Sequence, residues 1–385
     1  MPVPKVTVAI DTTFMDRRKA KGTAIWIREI VTELKNYRDE FDITLIHREK
    51  IPEDPLYQDF NEIVIPRLPL PKFAGFFSEL CFFLTTKQRF DIYYFAYSRL
   101  YPSFWLAPAR RIVYAAMDGG PLTAGFTAYG TNPKVSSMTR RFISKVDMFI
   151  ALSNFGSKGI RETYHVAAEK VRTVYCGVSA IFRPLAGREA LKEEVLKKYG
   201  IRSPYILDVS RFDPHKNILN LLRAFKNFLD ENHTAHTLVF VGGRHMPDYS
   251  DEVERLIAEL GLSDRVYVAP YIEEADLPKV YNASDFFIFP SFYEGFGMPA
   301  AEAMACGTPV VVSDTPALVE ITGRAAEIVD PHEADSIARG MTRMLDGSHR
   351  DALAQKGIER AAIFTWKASG KDITDIFRRV AALDK

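Results

Sequence analysis

A glycine pair lies between two glutamates in the segment PSFYEGFGMPAAEAMACGTPVVVSD, residues 290–314. Pro299 fits the first position of a helix, and Gly307 would close that helix. Glycines just before a helix let backbone N–H groups approach a ligand closely, and the positive end of the helix dipole favours an anion there. The segment therefore predicts a loop that cradles a phosphate or a polarised sugar oxygen, formed by Gly295, Phe296, Gly297 and Met298.

The two glutamates of this segment, Glu294 and Glu302, are suited to different parts of one ligand. Glu302 would lie about one turn inside the helix, where it cannot face a phosphate. Its carboxylate can accept hydrogen bonds from vicinal hydroxyls, as an acidic residue does with ribose in dinucleotide folds. Glu294 precedes the loop and would meet a hydroxylated or transiently cationic group beyond the phosphates. That description fits a sugar at the moment of transfer.

The elements that must position these residues follow an alternating order along the chain. Short β-branched or aromatic runs alternate with helix-period segments, which predicts two parallel-sheet α/β units. The boundary is expected within CGVSAIFRPLAG, residues 176–187, where glycine and proline interrupt the pattern. Two Rossmann-like halves facing each other would place a ligand cleft between the C-terminal ends of their strands. Neither a GxGxxG after the first strand nor a GxxxxGK[ST] is present, which disfavours dinucleotide-binding and P-loop enzymes.

Composition favours a globular protein without a membrane span. The chain has 385 residues, of which 47% are hydrophobic and 26% charged, and no apolar run approaches the roughly 18 residues of a span. The N-terminus lacks the pattern of a secretion signal, so we expect a cytoplasmic protein. Its three cysteines are far apart and lack metal-ligand spacing, which predicts buried thiols and no metal site. We expect no nucleic-acid partner.

Charge is distributed unevenly between the two halves. Residues 1–184 carry 26 basic and 18 acidic side chains, against 24 and 31 in the remainder, or about +8 against −7. Basic pairs such as Arg17 and Arg18 suit an anionic partner, although solvated faces explain them equally well. The aromatic segment at residues 68–90 predicts a helix that either covers the sheet or contacts an anionic membrane peripherally. In the second case Arg17 and Arg18 would lie near the phosphates of a lipid-linked acceptor.

The two glutamates and their surroundings resemble the E-x7-E motif of GT-B glycosyltransferases of family 4. The resemblance includes YNASDFFIFPSFYEGFGMPAAEAMACGTPVVVSD and LVEITGRAAEIVDP and extends over most of the chain. It implies an α/β protein of GT-B fold, with an acceptor-binding domain at 1–184 and a donor-binding domain at 185–365. A tail at about 366–385 would pack back on the first domain. The implied activity is retaining transfer of a hexose from a nucleotide-diphosphate sugar, without a cofactor or metal ion.

The resemblance also assigns residues in the second half. In VSRFDPHKNILNLLRAF, Arg211 and Lys216 take the positions that hold the nucleotide diphosphate. The chemistry agrees, because two cations at the end of a strand would neutralise a leaving pyrophosphate. Gly243, Tyr271 and Ile272 are placed beside the nucleobase, although a tight turn or core packing would explain the same residue types.

In the first half, Gly22 and Thr23 resemble the glycine loop that enters a helix against the donor phosphates. The segment RIVYAAMDGGPL resembles a family stretch in which histidine precedes aspartate. Met117 stands in place of that histidine, so no role needing an imidazole is assigned there. Asp118 keeps the acidic position and joins Glu294 as a predicted catalytic residue. Glu294 would hold donor hydroxyls and stabilise positive charge at the anomeric carbon.

Mannose from GDP-mannose is the favoured donor, because KNILNLLRAF and EGFGMP are similar to mannosyltransferases of this family. Users of UDP- and ADP-sugars share these motifs. The acceptor would be a saccharide or a lipid-linked glycan in polysaccharide or glycoconjugate synthesis. Two alternatives remain open: a nucleotide-sugar epimerase or hydrolase of GT-B fold, and a non-catalytic nucleotide-sugar binding protein.

Overall fold

The computed structural model describes residues 4–13, 15, 22–49, 55–65, 74–96, 106–117 and 143–383. The chain divides into two compact units. The first comprises Met1–Gly177 and Trp366–Lys385, and the second comprises Val178–Thr365. This division falls a few residues before the sequence-based boundary after residue 184.

The described strands of the first unit form one parallel sheet. They run in the order β3-β2-β1-β4-β5-β6-β7. Their bounds are β1 Val6–Asp11, β2 Phe41–His47, β3 Asn61–Val64, β4 Phe90–Phe95, β5 Ala109–Ala115, β6 Met148–Ala151 and β7 Val171–Thr173. Strands covered on both faces are continuously apolar, and β6 accordingly is buried throughout. The strand β7 was not predicted from the sequence.

Helices cover this sheet: α1 Gly22–Leu34, α2 Ala74–Thr85 and α3 Asn154–Tyr164. Within the predicted helical segment 68–90, only 74–85 is helical among the described residues, since β4 begins at Phe90. The expectation of buried thiols holds for Cys176 and Cys306 but is wrong for Cys81, which is exposed on α2.

The second unit contains a parallel sheet in the order β10-β9-β8-β11-β12-β13. Its strands are β8 Tyr205–Arg211, β9 Thr237–Gly243, β10 Val266–Val268, β11 Phe286–Phe289, β12 Val310–Ser313 and β13 Ala326–Val329. The surrounding helices are α4 Arg188–Tyr199, α5 Ile218–Asn232, α6 Pro247–Glu259, α7 Leu277–Ala283, α8 Met298–Ala305, α9 Pro316–Thr322, α10 Ala334–Arg343 and α11 Gly347–Ala361. One face of the sheet packs on α5 and α10 through a buried aliphatic and aromatic core. The prediction of two Rossmann-like domains is confirmed.

The last helix, α12 Trp366–Ala381, belongs to the first unit and packs on α1, β4 and β5. The Trp366 ring meets Trp26 edge-on at 6.0 Å between centroids. Farther along the helix, Phe377 is fully buried and lies 5.7 Å from the rings of both Phe41 and Tyr94. The chain end thus completes the core of the unit in which the chain begins. No helix within the described ranges is long and apolar enough to span a bilayer.

Candidate active site

The second sheet has a topological switch point between β8 and β11, where the strand order changes direction. In open α/β sheets, ligands bind beyond the carboxyl ends of the strands at this point. The strand β8 ends at Arg211 and is followed by a short 3-10 helix, Pro214–Lys216. The strand β11 is followed by residues 290–297 and then by α8. The predicted phosphate- and sugar-binding residues Arg211, Lys216 and Glu294 therefore lie at the carboxyl ends of two neighbouring strands.

Hydrogen bonds fasten these two loops to each other. Asn217, which is buried with φ +62°, donates from Nδ2 to the carbonyl oxygens of Pro290 at 3.0 Å and Pro331 at 2.6 Å. The amide of Phe292 donates to the carbonyl oxygen of His215 at 2.8 Å. The bonds to Pro290 and His215 hold two segments against each other. One follows β8 and contains Lys216, and the other follows β11 and contains Glu294.

Lys216 and Glu294, predicted to bind the phosphates and the sugar, form an ion pair. The distance from Nζ to Oε1 is 2.5 Å, and only 15% and 12% of the two side chains are exposed. The Lys216 ammonium also lies 4.6 Å from the centroid of the Phe289 ring. A buried charge is stabilised by such a partner and by the face of an aromatic ring. The structure thus brings these two predicted site residues into contact.

Asp208 lies on β8 close to this pair and was missed by the sequence reasoning. Its side chain is fully buried, and Oδ1 accepts a hydrogen bond from Ser210 Oγ. Burial raises the pKa of Asp208 to about 7, an effect opposed by the Ser210 bond and by Lys216. Among the described residues, Oδ2 has no hydrogen-bond partner. A polar residue inside the buried run YILDVSR was the available signal.

Arg211 extends from the end of β8 and is 42% exposed. Its Nη2 lies 3.2 Å from Oδ2 of the buried Asp213, and its Nη1 lies 2.9 Å from Nε2 of His245. Burial, with Lys216 and Arg211 nearby, lowers the pKa of His215 to about 2, so that imidazole stays neutral. The two predicted cations are therefore the charged basic groups contributed by the segment 211–216.

One residue of the glycine-rich loop, Gly297, has a left-handed backbone conformation. Its φ is +95°, and a Cβ there would lie 2.5 Å from Leu318 Cδ2, so a larger residue would have a strained backbone and would displace the Leu318 side chain. The Phe296 ring is buried against Phe364 at 5.3 Å, so this predicted loop residue packs in the interior. The helix α8 begins at Met298, one residue before the predicted start.

Glu302 lies in α8 and is buried beside Tyr281. The Tyr281 hydroxyl donates to Oε2 of Glu302 at 3.0 Å. Burial raises the pKa of Glu302 to about 8, although the bond from Tyr281 opposes the shift. Its predicted role on ribose stays a prediction, and sequence reasoning missed Tyr281 because the two residues are far apart along the chain.

The predicted base-binding residues differ in environment. Tyr271 is 73% exposed, whereas Ile272 is buried in the unit's interior. Gly243 has φ +56°, and a Cβ there would lie 2.7 Å from Val268 Cγ1. Its left-handed backbone therefore favours glycine, and a larger residue would also have to displace the Val268 side chain of β10.

The structure describes only some of the site residues predicted in the first unit. Gly22 is the first residue of α1 and Thr23 the second, as expected for a helix start. Met117 is buried just after β5. Asp118, Arg17 and Arg18 lie outside the described residues. In the described part of the chain, no group of three or more acidic, histidine or cysteine side chains is arranged to hold a metal ion.

Two family models match the chain, one in each unit. The model for Glycosyltransferase Family 4 matches residues 20–180, and the model for Glycosyl transferases group 1 matches residues 192–361. The fold agrees with this match, since both units are parallel-sheet Rossmann-like domains. The chain belongs to family 4 of the glycosyltransferases and has the GT-B fold.

Named relatives include two mannosyltransferases. O-antigen chain mannosyltransferase B of Escherichia coli is 31% identical over 245 residues, which cover 62% of this chain and 63% of the relative. MMP alpha-(1→4)-mannosyltransferase of Mycolicibacterium hassiacum is 28% identical over 251 residues, covering 64% and 57%. The matched stretches thus span less than two thirds of these relatives.

Solved structures share the fold over nearly the whole chain. Sucrose-phosphate synthase from Thermosynechococcus elongatus superimposes with a TM-score of 0.79 at 22% identity, covering 98% of this chain and all of that one. Anabaena HepE in complex with UDP and glucose has a TM-score of 0.75 at 19% identity, covering 97% and 100%.

Proposed function

We propose that the protein is a retaining mannosyltransferase that uses GDP-mannose as donor. The observation that carries this proposal is the likeness to the Escherichia coli and Mycolicibacterium hassiacum mannosyltransferases, combined with the arrangement of cations and carboxylates at the switch point. The sequence analysis favoured mannose partly because of the motif EGFGMP. This motif contains Glu294 and the loop that precedes α8.

In the proposed reaction, the bond between the anomeric carbon and the diphosphate oxygen breaks while the acceptor hydroxyl oxygen bonds to that carbon, and the hydroxyl proton passes to the leaving diphosphate. Negative charge develops on the leaving diphosphate, and Arg211 and Lys216 would neutralise it in place of a metal ion. Glu294 would bind donor hydroxyls and stabilise the positive charge at the anomeric carbon. Glu302 would accept hydrogen bonds from the ribose hydroxyls.

The acceptor we propose is a saccharide or lipid-linked glycan reached by the first unit from a membrane surface. Two features of the described residues support contact with an anionic bilayer. Phe77 and Leu84 on α2 are 42% and 64% exposed, and Cys81 lies between them on the same face. Exposed Lys87 and Arg89 follow directly. Apolar groups next to basic groups suit a surface of anionic lipid.

Titration calorimetry of GDP, UDP and ADP, each with and without its sugar, tests the donor assignment. GDP should bind more tightly than UDP and ADP, and GDP-mannose should be turned over only when acceptor is supplied. Tighter binding of UDP and its sugar nucleotide, or of ADP and its sugar nucleotide, would overturn the choice of GDP-mannose. Sugar release or epimer formation without acceptor would overturn transfer itself.

A further inference from the structure

His245 lies between Arg211 and Asp213, and its two ring nitrogens are used differently. Nη1 of Arg211 lies 2.9 Å from Nε2, and Nδ1 lies 2.6 Å from Oδ1 of Asp213. A guanidinium has no acceptor, so it donates and Nε2 must be without a proton. The ring proton is then on Nδ1 and is donated to the carboxylate. The two partners together select one neutral tautomer.

This arrangement restrains the Arg211 guanidinium on two sides. Nη2 pairs with Oδ2 of Asp213 at 3.2 Å, while Nη1 is held through the imidazole by the other oxygen of the same carboxylate. Asp213 is fully buried, so its carboxylate stays in place when Arg211 contacts a ligand. A restrained arginine loses less conformational entropy when it binds an anion. The bond to His245 uses one of its five N–H groups, and the contact of Nη2 with Oδ2 of Asp213 is an ion pair without a hydrogen bond, so four N–H groups are left for a ligand.

The backbone places His245 beside Arg211. In the register of β8 and β9, Ser210 pairs with Gly242 and Arg211 with Gly243. Gly242 has φ +113°, and a Cβ there would lie 2.6 Å from the Ser210 carbonyl oxygen. The loop after β9 therefore starts against the end of β8. The His245 amide then donates to Oγ of the buried Ser250 in α6 at 3.3 Å.

We propose that His245 is a positioning residue that orients Arg211 toward the donor diphosphate. The inference rests on the proposed function, which assigns Arg211 to that group. His245 acts through its Nε2 acceptor, and its contribution disappears when the arginine is absent.

Two substitutions separate the two ring nitrogens. In His245→Asn, the amide reaches about as far as Nδ1, so it can still donate to Asp213 but does not reach Arg211. In His245→Gln, the longer side chain places an acceptor oxygen near the position of Nε2. A loss of the fold at this site would affect both variants, whereas loss of the bond to Arg211 affects Asn alone.

Calorimetry with GDP, UDP and ADP and their monophosphates provides the measurement, together with a double-mutant cycle with Arg211→Ala. For the diphosphate that binds best, His245→Asn should weaken binding by about five- to tenfold, and His245→Gln should retain most of it. Monophosphate binding should change little. In the Arg211→Ala background, His245→Asn should have no further effect.

An equal loss from His245→Asn with and without Arg211 would overturn the proposal, as would no loss or tighter binding in the single variant. If Arg211→Ala itself leaves diphosphate and monophosphate binding unchanged, the assignment of Arg211 in the proposed function fails. The two failures are therefore distinguishable.

Discussion

Lys216 Nζ lies 2.5 Å from Glu294 Oε1, in a site where both side chains are largely buried. Before a donor binds, each charged group satisfies the other. In the proposed complex the lysine would contact the diphosphate and the glutamate would contact the sugar hydroxyls, so the two residues would bind different parts of the donor. This relationship separates the expected effects of changing either residue.

Glu294→Gln should lower turnover by an order of magnitude or more while leaving nucleotide diphosphate binding nearly intact. A carboxylate that stabilises positive charge in the transition state contributes mainly to kcat, and the amide cannot replace its charge. Steady-state kinetics with GDP-mannose and calorimetry with GDP provide the two measurements. Glu231→Gln, an exposed position at the end of α5, is the matched control. Full activity in Glu294→Gln would reject the role.

Lys216→Met should weaken diphosphate binding by about 1.5 to 3 kcal/mol, because a charge-assisted contact is lost while most of the side-chain volume is kept. Monophosphate should lose less. The comparison of GDP with GMP by calorimetry isolates the diphosphate contribution. Equal losses for both nucleotides would place the lysine away from the diphosphate.

Glu302→Gln should make the protein more stable at pH 8 and a weaker binder of nucleotide. The pKa of Glu302 is about 8 in the folded protein, above the ordinary 4.5. Between these values the folded state holds a proton that the unfolded state has lost, so this group makes stability fall as pH rises. The amide does not titrate and can still accept from Tyr281.

The stability gain should be small at pH 5 and reach a few kcal/mol at pH 8. Denaturant unfolding at both pH values measures it, and calorimetry with GDP measures the expected loss of affinity for ribose. A gain that is the same at pH 5 and pH 8 would contradict the raised pKa. Unchanged affinity would reject the ribose role.

The residues predicted from sequence are those whose function depends on local chain geometry. A helix start with glycines before it can be identified from neighbouring residues, and Glu294, Gly297 and Glu302 follow from that pattern. The orientation of Phe296 could not be predicted, because its burial depends on Phe364 in a segment far along the chain.

The missed residues act through tertiary contacts. Asp213 and His245 are 32 positions apart and meet only because β9 lies beside β8. Tyr281 and Glu302 are 21 positions apart and meet inside the second unit. Periodicity gives the face of an element but not the partner that it meets, so such positioning contacts require the structure.

Phe377→Ala should destabilise the first unit by about 3 to 5 kcal/mol, since a fully buried ring between Phe41 and Tyr94 is removed. Hydrogen exchange should increase in peptides from β2 and β4, which contain Phe41 and Tyr94, more than in peptides from residues 178–365. Arg379→Ala, exposed on the same helix, should stay within about 0.5 kcal/mol of the parent. Faster exchange confined to the second unit would contradict the docking of α12 on the first.

The last prediction concerns the exposed face of α2. If the first unit rests on an anionic membrane, the protein should co-sediment with anionic vesicles at low salt and less at high salt, because each nearby basic residue contributes on the order of 1 kcal/mol and salt screens it. Leu84→Ser should weaken this binding, since its largely exposed side chain would enter the lipid interface. Ile363→Ser is the matched control, an apolar residue 54% exposed on the second unit, and should bind like the parent. If the parent protein does not bind anionic vesicles at low salt, the membrane proposal is wrong. If both variants lose vesicle binding equally, α2 is not the contact surface.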